Sequence, residues 1–186
     1  MQRKPEIEED IYFKEQELAA RTKLRERMEA DARKLELEAR KLELAETIQA
    51  LGFTGEKARI FDLMPLVHVA WIDDSVSRKE RAAILDVVRS RGINPGSEAF
   101  QMIESMLEER PAKAFMDETL ALLKLTLAGK EGASLVDLCV KVADASGGFL
   151  GIGNAIDPEE RAQIETIAQT FGDSALRTFH RAFASR

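Results

Sequence analysis

Val69-Ala70-Trp71-Ile72-Asp73-Asp74-Ser75-Val76-Ser77-Arg78-Lys79-Glu80-Arg81-Ala82-Ala83-Ile84 is the stretch that decides the fold, because the chain repeats it. Val142-Ala143-Asp144 leads through a longer loop to Ile156-Asp157-Pro158-Glu159-Glu160-Arg161-Ala162-Gln163-Ile164. Both copies read as the end of a helix, an acidic loop, a β-branched residue, a cap, and Glu-Arg-Ala-x-Ile. A duplicated helix–loop–helix unit predicts two helical hairpins packed with pseudo-twofold symmetry.

The caps follow from helix chemistry. Ser77 with Glu80, and Asp157 with Glu160, have the spacing of a capping box. The first side chain accepts from the amide three residues on, and that residue's carboxylate reaches back. Pro158 stands at the first helical position, where its missing N–H costs nothing. Capping leaves Asp73, Asp74 and Asp144 unexplained. They fall at helix C-termini, where the dipole disfavours carboxylates. Two readings stay open: solvated turn residues, since Asp favours turns, or hard oxygen ligands for Ca²⁺ or Mg²⁺ if the two loops meet.

Outward from these loops, the pattern from Glu56 to the end is helix after helix. Ala58 to Trp71 reads as one largely apolar helix bent at Pro65. Ser77 to Arg91 follows and stops at Gly92, and Pro95-Gly96-Ser97 opens the next helix. A further helix starts at Pro111 and reaches Ala128-Gly129. The segments Ala133–Ala145, Asp157–Phe171 and Ser174–Ala184 complete the set. Apolar alternation at period two is nowhere sustained, so the predicted class is all-α.

Residues 1–51 are of another kind and form a charged helical arm, distinct from a globular domain at 56–186. Nearly half of the first 50 positions are charged, and Pro5 is the only helix breaker before Gly52. Glu, Lys, Arg, Leu and Ala dominate and all favour helix. The acid-before-base pairs Asp10–Lys14, Glu17–Arg21, Glu29–Arg33 and Glu36–Arg40 contribute about 0.2–0.5 kcal/mol each. Met28, Ala32, Leu35, Ala39 and Leu42 have the 4-3 spacing of a coiled-coil seam, which Arg25 and Arg21 end upstream. Leu37, Leu44, Ile48 and Leu51 form a second stripe suited to docking the helix base. The arm reads equally as a lone or domain-docked helix and as one that binds a partner or a second copy.

The charge balance narrows the function. Net charge is -6, and no basic block stands without interleaved acids, so no nucleic-acid partner is expected. Single Cys139 lies in an apolar run and reads as a small buried hydrophobe. The charged N-terminus lacks the apolar core of a signal peptide, and no apolar run reaches the roughly 20 residues of a membrane span. The expected location is cytoplasmic. His68, near Trp71, and His180, between Phe179 and Phe183, have no neighbours at metal-ligand spacing. Both read as packed histidines, and no Ser or Cys has an evident base.

Val142-Ala143-Asp144-Ala145-Ser146-Gly147-Gly148-Phe149-Leu150-Gly151-Ile152-Gly153, with Ile156 to Glu160 after it, resembles the SGGF-x-G-x-G loop and capped helix of the TerB-like tellurite-resistance and stress-response family. Val69 to Ile84 resembles that family's other signature, with Asp74 where a glycine is expected; Asp tolerates the left-handed backbone such a turn requires. The resemblance spans about Lys57 to Phe171. It implies an all-helical TerB-like bundle and an acidic face, carried here by Asp73, Glu80, Asp144 and Glu160, that binds a divalent cation. It also implies a non-catalytic scaffold or sensor in stress or phage defence, reaching membranes only through a partner. The glycine-rich loop lacks a preceding strand and a Gly-Lys-Ser/Thr, so it fits no nucleotide cradle. Its Phe149, Leu150 and Ile152 instead offer apolar surface to a protein partner or fold back on the domain. The competing expectation is a purely structural coiled-coil adaptor with no metal site, acting as a homo-oligomer or through another protein.

Overall fold

The computed structural model describes residues 5–127, 130–146, 156 and 158–184. The described chain is all-α and divides into two units, residues 1–46 and residues 47–186. The first consists of most of α1 (Pro5–Ala50), a single 46-residue helix. Helical propensity and local pairs hold it: Arg21 donates to Glu17 at 2.7 Å, and Glu29 lies within 4 Å of both Arg25 and Arg33. Its large side chains from Tyr12 through Leu42 stay mostly exposed, including Leu37 of the predicted docking stripe. Ile48 and Leu51, in the second unit, are half-buried.

The second unit contains a 3₁₀ stretch (Gly55–Leu63), then α2 (Met64–Ala70), α3 (Arg78–Ser90), α4 (Glu98–Glu108), α5 (Lys113–Thr126), α6 (Lys130–Ser146), α7 (Pro158–Phe171) and α8 (Asp173–Ala184). The expected single bent helix over 58–71 is therefore two elements. Inside a continuous α-helix Pro65 would leave the Phe61 carbonyl without its donor. Instead the chain tightens, with the Met64 N–H donating to Phe61, and Pro65 falls in the first turn of α2, where it is tolerated.

Helix α2 is the centre of the core, with all seven of its residues buried. It packs on α3, α4, α5, α6 and α7. The two predicted hairpins are present as packed pairs, α2 with α3 and α6 with α7, and α6 contacts both members of the first pair. Helix α8 closes over α6 and α7. Gly132 permits a close approach there: a Cβ on it would stand 2.7 Å from the Phe171 Cβ, inside any real contact distance. Cys139 is fully buried and its thiol is pushed far up by desolvation, so it is the inert core residue expected.

Candidate functional site: the acidic turn and the adjoining cleft

The turn between α2 and α3 is built by three local devices. Trp71 ends α2, and its indole N–H donates to the Met106 carbonyl at 2.8 Å, tying the turn to α4. Asp74 adopts φ 58°, the one positive φ outside glycine among the described residues, so it does take the left-handed position expected of it. Its carboxylate pairs with Arg110. Ser77 then caps α3: its hydroxyl accepts from the Glu80 amide at 3.2 Å, and the Glu80 carboxylate accepts from the Ser77 amide at 2.8 Å. The capping box is complete as read. Arg81 of α3 donates to Glu108 of α4 at 2.7 Å, a second tie across the same turn.

Glu80 is only 5 % exposed. Burial pushes its carboxyl above the usual range, the two Ser77 hydrogen bonds pull it back, and the nearby negative charge of Asp73 adds to the rise. Glu160, at the matching place in α7, is 2 % exposed. Asp73, within the α2–α3 turn, and Asp144, in the last helical turn of α6, are both exposed. Among the described residues no group of three or more His, Cys, Asp or Glu converges as a metal site would require. Asp73, Glu80, Asp144 and Glu160 are all described, so these four do not form such a cluster by themselves. The cap residue Asp157 and the glycine-rich loop 147–155 lie outside the described residues.

Beside the turn opens a cleft of about 660 Å³, lined by His68 and Trp71 of the α2 end, Arg110 and Lys113 before and in α5, and Glu159 and Gln163 of α7. No local signal announces it, since it gathers residues from helices distant in sequence. His68 forms its inner wall. Its Nε2 lies 2.8 Å from the Met116 carbonyl, which fixes the proton on that nitrogen. Desolvation holds its pKa below the ordinary 6.5, so the ring is neutral at physiological pH. Thr119 donates to the same carbonyl at 2.8 Å. At the mouth, Arg110 is engaged by Asp74, and Lys113 donates to Asp117 at 2.6 Å. The described lining of the cleft thus holds a packed histidine and cations already paired. His180 departs from expectation: its ring meets Phe179 edge-on at 5.6 Å, yet the residue is exposed on the outer side of α8.

An all-α body with two matched hairpins, a left-handed acidic turn and a capping box now stands beside one further finding. A family model described as Tellurite resistance protein TerB matches residues 63–182. The chain belongs to the TerB family. The match begins at the 3₁₀–α2 junction and ends in α8, so it covers the hairpins and leaves the arm outside. TerB is a non-enzymatic domain family. No curated protein and no solved structure matches the chain. No helix among the described residues is long and apolar enough to cross a membrane.

Proposed function

We propose that this chain is a non-catalytic TerB module for stress response or tellurite resistance, acting as a scaffold whose helical arm recruits a protein partner. The observation that carries this reading is the arm itself. It holds a helix of 46 residues whose Met28, Leu35 and Leu42 stand 64 %, 67 % and 63 % exposed on a single stripe. A stripe of large apolar side chains in register is a contact surface. The body supports the scaffold reading with tightly packed helices.

The test is growth under tellurite of the native host lacking this gene, complemented with the full chain or with Leu35→Gln plus Leu42→Gln. Wild type restores growth; the double variant, with an unchanged body by thermal unfolding, does not. Full restoration by the double variant would remove the arm from the mechanism.

A second reading places a divalent cation at the acidic turns. It is favoured by the matched burial of Glu80 and Glu160, two carboxylates at equivalent places in the two hairpins. The described side chains do not by themselves converge on one ion. Unfolding with EDTA, then with millimolar Ca²⁺ or Mg²⁺, decides it: an ion at about 100 times its Kd raises stability by about 2.7 kcal/mol. That rise is expected to vanish in Asp73→Asn with Asp144→Asn. An unchanged midpoint in every metal leaves the arm as the functional element.

A further inference from the structure

The arm's stripe has a definite heptad frame. Met28, Leu35 and Leu42 take the d positions, and Ala32 and Ala39 the a positions between them. In that frame the flanking e and g positions from 29 to 43 are Glu29, Asp31, Glu36, Glu38 and Glu43, acidic without exception. The cations Arg33, Lys34, Arg40 and Lys41 fall one step further out, at b and c. Arg33 and Arg25 approach Glu29 at 3.6 and 3.8 Å, in exposed pairs that soften that carboxylate's charge without reversing it. Upstream, Arg25 and Arg21 occupy the next seam positions and close the apolar face.

Flanking charge decides who sits on such a seam. In a parallel pair of this chain, Asp31 would face Glu36, and Glu38 would face Glu43. In an antiparallel pair e meets e and g meets g, again acid against acid. A second copy is disfavoured in both directions. We propose that the seam Met28–Leu42 docks a helix of another protein whose own apolar stripe is flanked by lysine or arginine. This deepens the reading of the arm as the recruiting element and rests on it. The docked length is short, about two heptads between the closing arginines and Leu42. Charge complementarity therefore carries a large share of the choice of partner.

The experiment uses the full chain and two synthetic helices with the same apolar seam, one with lysine and one with glutamate at every flanking position. Binding is read by fluorescence anisotropy, and self-association by sedimentation equilibrium. At low salt the chain is expected to be monomeric and to bind the lysine helix at least about tenfold more tightly than the glutamate helix. That preference should shrink in about 1 M salt, where the screening length is about 3 Å. Leu35→Gln should abolish lysine-helix binding while the body's thermal midpoint stays put. Equal affinity for the two helices, a seam-dependent dimer at low salt, or binding that survives Leu35→Gln would each overturn the proposal. So would failure of both helices to bind. If the helices fail yet the Leu35→Gln, Leu42→Gln chain still loses tellurite growth, the recruiting arm stands and the charge rule alone falls. If that chain also restores growth, the recruiting arm falls with it.

Discussion

Helix α1 leaves Leu18, Leu24, Met28, Leu35 and Leu42 exposed over 46 residues, whereas seven-residue α2 buries every side chain it has. The first is helical through local chemistry: strong helix formers, acid–base pairs one turn apart, and no interior glycine or proline. The second is far too short to persist alone, since isolated helices below about 12–15 residues are marginal in water. It exists because five other helices pack on it. Helices of the first kind are specified by their own sequence, and helices of the second kind by the whole domain.

The largest expected effect tests that contrast directly. Leu66→Ala empties a fully buried site in α2 and should cost about 2–5 kcal/mol. Leu35→Ala, in the arm, should cost under about 0.5 kcal/mol. Trp71, the single tryptophan, sits in the core and reports both in a urea titration. Equal costs would break the comparison, since they would mean that Leu35 is packed in solution.

A smaller effect sharpens the comparison through pH. His68 and Glu80, two of the buried ionisable groups, lie in the second unit, and their shifts act in opposite directions. His68 titrates below 6.5 when folded, so the unfolded chain takes up its proton first, and stability falls as pH drops below about 6.5. His68→Gln should flatten that slope. Glu80 titrates above its ordinary 4.5 when folded, so its contribution is lost as pH rises from 4.5 through the folded value. Glu80→Gln can still serve the capping box and should gain on wild type across that window. Parallel pH curves for wild type and each variant would count against the burial of these groups in solution.

The smallest effect lies in the arm. Ala30→Gly should weaken α1 locally by about 1 kcal/mol, speeding amide exchange around residue 30 without moving the Trp71 transition. A shift of that transition would show that arm and body unfold together.

The parts of the fold that were legible in the sequence are those set within a few residues. The Ser77–Glu80 box and the left-handed Asp74 follow from side chains acting on their own backbone, and the hairpin order from a visible duplication. Pro65 misled because a proline's effect depends on whether the chain bends around it or restarts there, and packing of the 3₁₀ stretch decides that. His180 misled because flanking aromatics at 179 and 183 do not fix which face of α8 turns outward. The cleft was invisible for a different reason. His68, Arg110 and Gln163 share no local pattern and meet only when α2, α5 and α7 are assembled. Of the acidic residues singled out, the capping bonds of Glu80 were legible in its spacing from Ser77 but its burial was not, and whether the surface Asp73 and Asp144 serve an ion depends on spatial convergence that no linear spacing specifies.

One consequence of the unbroken α1 concerns measurement. A continuous helix advances about 1.5 Å and turns about 100° per residue, so this one is a ruler of about 69 Å that also fixes an angle. Excising seven helical residues downstream of the seam would shorten α1 by about 10 Å and turn the seam by only about 20° about the helix axis. Excising five would shorten it by about 7.5 Å and turn the seam by about 140° about the helix axis. Length and angular phase along α1 are thereby separable quantities, set by how many residues the helix contains.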